Sequence, residues 1–352
     1  MKAETIDLLF RFGRTLSPFY ANMMKLRQKG YETGLLKSRK LPCPVISIGN
    51  IVMGGTGKTP HVIAVAAFLK ASGKKPAVIS RGYGGRHGKE PVIVHDGSKL
   101  CASPDIAGDE PVMTAEALEN VPVVVHKKRY IAGLKAIKEL GADLIILDDG
   151  FQHLSLRRDI DIVLLNSFCP FGNGRVFPGG DLREGKHALK RADIIVLTKS
   201  ETISSGQKEG LRHQLHKKWP DKPIFFSENK FSSFTSLDNK TLPLDHVHGM
   251  PILAFCGLAH PDPFFKALKE LDAQILYQKA YPDHHKYKLS DINDIYQRAE
   301  KSGAKFIITT KKDGTKIKRL AGLPGNLPIL QLNMEAAPEA GLFNVLKAKL
   351  GL

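Results

Sequence analysis

No two cysteines in this chain form a CxxC pair; the four, Cys43, Cys101, Cys169 and Cys256, lie far apart in 352 residues. That spacing argues against a disulfide framework and against a zinc site, and points to a reducing compartment. No apolar run reaches the roughly 18 residues that a spanning helix needs, and the N-terminus lacks the apolar core and cleavage site of a secretory signal. Neither a membrane span nor export through a cleaved signal is therefore expected. Repeats, low-complexity tracts and a disordered tail are also missing, so the chain is expected to fold throughout. Acidic charge is scarce: 35 Asp and Glu stand against 52 Lys and Arg, leaving a formal charge of +17. Such a balance favours a polyanionic partner, whether nucleic acid, an anionic lipid surface or a phosphorylated substrate, and charge alone does not choose among them.

The N-terminal segment carries Leu9, Phe12, Leu16, Phe19, Tyr20 and Met23 at helical spacing, interrupted by Ser17-Pro18, which reads as an N-cap followed by proline at the first helical position. Arg11, Arg14, Lys25, Arg27 and Lys29, then Lys37, Arg39 and Lys40, set positive charge beside that apolar stripe. Two short amphipathic helices on a membrane surface and a helix packed on the domain core are both consistent with this pattern.

From residue 44 short β-branched runs alternate with helix-period segments. Strands are expected at 45–49, 77–80, 121–126, 144–149, 160–166 and 194–199, with helices at 61–71, 110–118 and 130–140. The alternation predicts a parallel sheet with helices on both faces. Extended segments at 225–230 and 231–237 precede a second α/β set, with strands at 252–258, 306–310 and 329–332 and helices at 262–271, 291–301 and 339–348. The expected division is amphipathic helices at 1–40, a core at 41–222, and a smaller α/β domain at 223–352, with a hinge near 220–250.

Between the first expected strand and helix stands Gly54-Gly55-Thr56-Gly57-Lys58-Thr59. Glycines let backbone N–H groups converge on phosphate oxygens, and the helix N-terminus adds partial positive charge. In such a P-loop Lys58 reaches the β- and γ-phosphates of a nucleotide and Thr59 holds Mg²⁺. Val52 stands where the strict pattern has glycine. About 90 residues on, Leu144-Ile145-Ile146-Leu147 leads into Asp148-Asp149, carboxylates at a strand's C-terminal end where Mg²⁺ is bound in such sheets. Phosphate transfer to an alcohol also needs a base and further cations. Asp109, Glu110, Arg81, Arg183, His284 and His285 are candidates that spacing does not rank.

Two other readings compete with a kinase. Thr310-Lys311-Lys312-Asp313 after a strand has the form of a guanine-reading element, which suits a GTPase or regulatory ATPase without a small-molecule acceptor. The positive charge suits a nucleic-acid binder, although no RNP, KH or zinc-finger pattern is present.

Together these segments resemble the tetraacyldisaccharide 4'-kinase family of lipid A biosynthesis across nearly the whole chain. The resemblance rests on Ile48-Gly49-Asn50 leading into the glycine-rich loop, Gly108-Asp109-Glu110-Pro111, and above all Asp148-Asp149-Gly150-Phe151-Gln152-His153. It is carried further by the basic amphipathic start, Phe255-Cys256-Gly257-Leu258 and Pro282-Asp283-His284. It implies an ATP- and Mg²⁺-dependent enzyme that phosphorylates the 4'-hydroxyl of tetraacyldisaccharide 1-phosphate. That enzyme would be a monomer without nucleic-acid partners, bound peripherally to the anionic cytoplasmic face of the inner membrane. The implied fold is a P-loop core with a parallel sheet flanked by helices, plus a smaller α/β domain on a two-stranded hinge. Carried over by position, Asp109 is the base, aided by His284. Lys58 and Thr59 serve phosphate and metal, and Asp149, with Asp148 and Glu110, surrounds the metal. Arg129 and Arg183 neutralise phosphate charge, while Arg81, Arg129, Gln152 and His153 face the substrate. Two positions depart from the family pattern: Gly185 where proline is usual, and Lys311 where glutamate is usual.

Overall fold

The computed structural model describes residues 10–86, 88–258, 261–283 and 285–352. These divide into two compact units, one running up to Asn229 and including Ala336–Leu352, the other Lys230–Glu335.

In the first unit β1 (Val45–Asn50), β2 (Pro76–Ser80), β3 (Val92–His95), β4 (Val123–Val125), β5 (Leu144–Asp148), β6 (Ile160–Asn166), β7 (Ile194–Thr198) and the first part of β8 (Ile224–Ser236) form a sheet. Its order is β8-β7-β6-β1-β5-β2-β4-β3. Neighbours run parallel except β3 and β4, which are antiparallel. All six residues of β1 and all five of β5 are buried, as expected of apolar runs covered on both faces. Alternation along β1 divides the core: Ile46 and Ile48 pack with Val62, Val65 and Leu69, whereas Val45 packs with Ala132 and Ala136 on the other face. Those partners belong to helices that follow β1 and β4. α1 (Ser17–Glu32) precedes β1, and α2 (Lys58–Ala71), α3 (Asp109–Ala117), α4 (Arg129–Leu140) and α5 (Ser205–Lys218) follow it.

The N-terminal segment packs one of its faces on the first unit, as the core-packed reading expects. Gly13, Ser17 and Tyr20 turn inward: Ser17 Oγ donates to the Val176 carbonyl, and the Tyr20 ring meets Phe177 edge-on at 5.6 Å. The expected N-cap role of Ser17 is thereby corrected, since Leu16 occupies that position and the serine hydroxyl is used across the loop. On the outer side Phe12, Leu16, Phe19, Met23 and Leu26 are exposed. Leu9 lies outside the described residues. Among the described residues no helix is long and apolar enough to cross a membrane.

In the second unit β10 (Pro251–Cys256), β11 (Gln274–Ala280), β12 (Phe306–Thr310) and β13 (Ile329–Pro338) lie in the order β11-β10-β12-β13, with the outer part of β8 beside β13. A short β9 (Thr241–Leu242) pairs antiparallel with β8. Helices α6 (Asp262–Glu270), α7 (Leu289–Ser302) and α8 (Lys311–Ile317) belong to this unit. Alternation again splits the core: Ile252, Ala254 and Cys256 pack with Phe264 and Leu268, while Leu253 and Phe255 pack with Ile292 and Ile295. The chain passes between the units within β8 and within β13. Helix α9 (Gly341–Leu350) returns to the first unit, where Phe343 stacks on Phe68 at 4.4 Å. Sequence pattern had grouped this helix with the second domain.

Candidate active site

β1 and β5 lie side by side with Ile48 opposite Asp148, so the glycine-rich loop and the Asp148-Asp149 pair leave the sheet at the same edge. Their packing is close. A Cβ on Gly49 would stand 2.9 Å from the Phe151 backbone nitrogen, and Phe151 is completely buried beneath the turn. Asp149 adopts φ 53°, a left-handed conformation uncommon for a residue with a side chain. It turns the carboxylate out of the strand line toward the loop.

Two cations meet that carboxylate. Arg183 Nη1 donates to both oxygens, and Lys58 Nζ lies 3.9 Å from Oδ1. Arg183 comes from a loop strapped to the start of the glycine-rich segment, since Arg183 N donates to the Ile51 carbonyl and Met53 N to that of Asp181. Val52 forms an isolated bridge with Leu182 in that strap, which gives the non-glycine residue a structural place. Gln152 is held from three sides. Its Nε2 donates to the Asn50 carbonyl at 2.9 Å, its Oε1 faces Arg183 Nη1 at 3.4 Å, and its own carbonyl accepts from Arg27 of α1 at 3.1 Å.

Asp148 is buried, and its pKa is raised to about 7 by burial and by the neighbouring charges of Glu110 and Asp149, with Lys58 and Arg129 opposing. The structure therefore brings Asp148, Asp149, Glu110, Lys58 and Arg129 into one electrostatic neighbourhood. Arg129, also buried, is lowered to about 10 by burial and by Arg81, against the pull of Asp149 and Asp148. His153 is lowered to about 4 by burial and then by Arg129, Arg158, Arg27 and Arg81, which keeps its ring neutral at physiological pH. Its Nε2 is 3.1 Å from Ser155 Oγ.

Asp109 and Glu110 open α3 from Gly108, whose φ is 92° and whose Cβ, if present, would stand 2.4 Å from the Tyr83 carbonyl oxygen. Only glycine permits both the angle and the approach. That contact seats the Arg81–Gly85 loop against the start of α3. Thr59 lies in the first turn of α2. His284, to which the resemblance gives a role beside Asp109, lies outside the described residues.

The guanine-reading alternative fails on geometry. Asp313 is completely buried and spends its carboxylate inside its own unit, accepting from Gly257 N at 2.8 Å and Thr310 Oγ1 at 2.7 Å. Both bonds fall on Oδ2, and a carboxylate with no exposed surface presents no edge to a base.

The family model described as Tetraacyldisaccharide-1-P 4'-kinase matches residues 9–351. The chain belongs to this kinase family. The tetraacyldisaccharide 4'-kinase of Desulfotalea psychrophila is 42% identical over 317 residues, covering 90% of each chain. That of Syntrophus aciditrophicus is 42% identical over 331 residues, covering 92% of this chain and 88% of its own. Among solved structures, the "apo" form of LpxK from Aquifex aeolicus in complex with ATP superposes with a TM-score of 0.77 at 32% identity. The match covers 96% of this chain and 98% of that one.

Of the two departures from the family pattern, Gly185 adopts φ −64°, the angle that a proline ring fixes, so the loop keeps a proline-like shape. Lys311 opens α8 in the second unit. Sequence reasoning gave no role to Asn50, which it named only within Ile48-Gly49-Asn50 and which bonds to Thr56 Oγ1, and missed His61, whose ring ties the Gly57 carbonyl to Ser227 Oγ. Asn50 is a polar residue in an otherwise apolar stretch and His61 stands at the start of one, and no periodic signal marks either.

Proposed function

We propose that this chain transfers the γ-phosphate of ATP to the 4'-hydroxyl of tetraacyldisaccharide 1-phosphate, a lipid A precursor. The observation that carries the reading is the convergence of Lys58 and Arg183 on Asp149 beside the glycine-rich loop, in a chain of this kinase family. Backbone N–H groups of residues 54–57 and the start of α2 receive the triphosphate, with Lys58 on its terminal oxygens. Asp109 accepts the proton of the sugar hydroxyl, and Arg129 and Arg183 offset charge on the transferring group.

Among the described residues no three His, Cys, Asp or Glu side chains are gathered into a metal cage. Mg²⁺ asks for less, since it is bound by one or two carboxylates together with phosphate oxygens and water. Burial raises Asp148 and the charges of Glu110 and Asp149 raise it further, which marks an acidic neighbourhood suited to such an ion, with Asp149, Asp148, Glu110 and Thr59 to hold it. When bound, the ion supplies positive charge to the phosphates.

The exposed stripe of Phe12, Leu16, Phe19, Met23 and Leu26, flanked by basic residues, docks the protein peripherally on the anionic cytoplasmic face of the inner membrane. There the acyl chains of the acceptor remain in the bilayer while its headgroup is phosphorylated.

Transfer of radiolabelled γ-phosphate from ATP to the acceptor in detergent, wild type beside Lys58→Ala, tests this function. Lipid-dependent labelling that the variant loses is expected. Nucleotide hydrolysis indifferent to lipid would overturn it.

A further inference from the structure

A chain of contacts runs beneath the glycine-rich loop through a residue given no role above. Asn50 ends β1 completely buried, and its Nδ2 donates to Thr56 Oγ1 at 2.7 Å. The bond closes the excursion between residues 50 and 56 from inside, and Thr56 is itself only 4% exposed. From the same residue the Asn50 carbonyl accepts Gln152 Nε2, and Gln152 Oε1 faces Arg183, which grips Asp149. Lys58, 3.9 Å from Asp149, returns the circuit to the loop.

The far end of the Asn50 amide has no partner. Turning the amide over does not repair this, because it only exchanges the atom that faces Thr56 for the one left alone. A buried polar atom without a partner is unfavourable, and an apolar side chain of similar size would fill the space without it. Packing therefore does not account for asparagine here.

We propose that Asn50 is a positioning residue: its side chain, through Thr56, fixes the conformation of residues 54–57 for a triphosphate, while the link to Gln152 and the Arg183–Asp149 pair runs through its backbone carbonyl, which any residue here would supply. This rests on the nucleotide half of the proposed function and is independent of the lipid half.

Asn50→Leu and Thr56→Val, singly and combined, separate positioning from mere structure in the full-length protein. ATP affinity is read by direct titration, Tm by thermal melting, and KM for ATP and for the lipid acceptor by steady-state assay. In Asn50→Leu the Tm should change little, since the unpartnered Asn50 Oδ1 is removed but the buried Thr56 hydroxyl loses its partner, while ATP affinity falls about tenfold, the worth of one well-placed hydrogen bond. Thr56→Val should show a similar loss, and the double variant should lose little more than the worse single one, because both changes break the same bond. KM for the acceptor should stay within about twofold. ATP affinity unchanged in both single variants, or losses that multiply in the double, would overturn the proposal. If Asn50→Leu does not fold, Thr56→Val decides by the same affinity and KM criteria. Wild type that binds ATP but labels no lipid would sink the lipid half of the function and leave these affinities to decide on Asn50.

Discussion

Arg183 places a single nitrogen, Nη1, 2.9 and 2.8 Å from the two carboxylate oxygens of Asp149. A single nitrogen facing both oxygens is not the arrangement of two parallel bonds from two nitrogens that makes arginine–carboxylate pairs strong. Both side chains are about a third exposed, at 28% and 34%, so the pair is worth at most about 1 kcal/mol. Such a pair holds Arg183 at the site without locking it. Arg183→Ala should therefore move Tm by less than about 3 °C while lowering kcat/KM by about a hundredfold or more. Thermal melts beside steady-state kinetics check this, and a collapse of Tm that accounts for the lost activity would make Arg183 a structural residue.

Asp109 starts α3 against the Arg81–Gly85 loop. In the proposed role of base it would act on the acceptor hydroxyl, so Asp109→Asn should lower kcat by about a hundredfold or more, with ATP affinity within about threefold. A variant that loses ATP affinity and keeps kcat would move Asp109 to the nucleotide site.

Much of this site was legible because each part is a local pattern. An apolar strand, glycines and a Lys-Thr pair announce a phosphate loop, and four aliphatic residues before two aspartates announce its partner strand. The edge strand β11 escaped notice, for its exposure alternates from Gln274 to Ala280 and leaves no apolar run. β8 read as two segments because polar Asn229 and Lys230 fall in its middle. Helix α5 buries only Leu215 fully and shows no stripe, although Ser204 and Gln207 form a capping box that composition announces. The return of α9 to the first unit has no local signature at all. It depends on contacts such as Phe343 on Phe68, hundreds of residues apart, which no window of sequence contains.

His61 supplies a pH test of the loop's support. Its Nδ1 lies 2.7 Å from the Gly57 carbonyl and its Nε2 2.9 Å from Ser227 Oγ. A carbonyl only accepts, so Nδ1 carries the proton and Nε2 accepts from the serine. Burial lowers the ring from 6.5 to about 4, with the Gly57 bond opposing. The folded value lies below the unfolded one, so the stabilisation by neutral His61 is complete above about pH 6.5 and is lost as pH falls toward 4, at about 1.4 kcal/mol per unit. Urea denaturation between pH 6.5 and 4.5 should show a shallower loss in His61→Gln than in wild type. Equal slopes would place the acid sensitivity in other groups.

The N-terminal stripe makes the strongest separable prediction, because one of its faces packs on the chain and the other is exposed. Ser17 and Tyr20 are committed to residues 176 and 177, whereas Phe19 and Leu26 stand 74% and 70% exposed on the outer side. Burying an aromatic or leucine side chain in an apolar phase is worth about 1.5–3 kcal/mol, so replacing both with glutamate removes enough to weaken vesicle binding by about a hundredfold or more. The added negative charge acts in the same direction against an anionic surface. The Phe19→Glu/Leu26→Glu variant should thus fail to sediment with vesicles containing anionic phospholipid while binding ATP with wild-type affinity. It should phosphorylate acceptor presented in detergent far better than acceptor presented in vesicles. Undiminished sedimentation would mean that this stripe is not the membrane face, and equal loss in detergent and vesicles would mean that the helix serves the acceptor site itself.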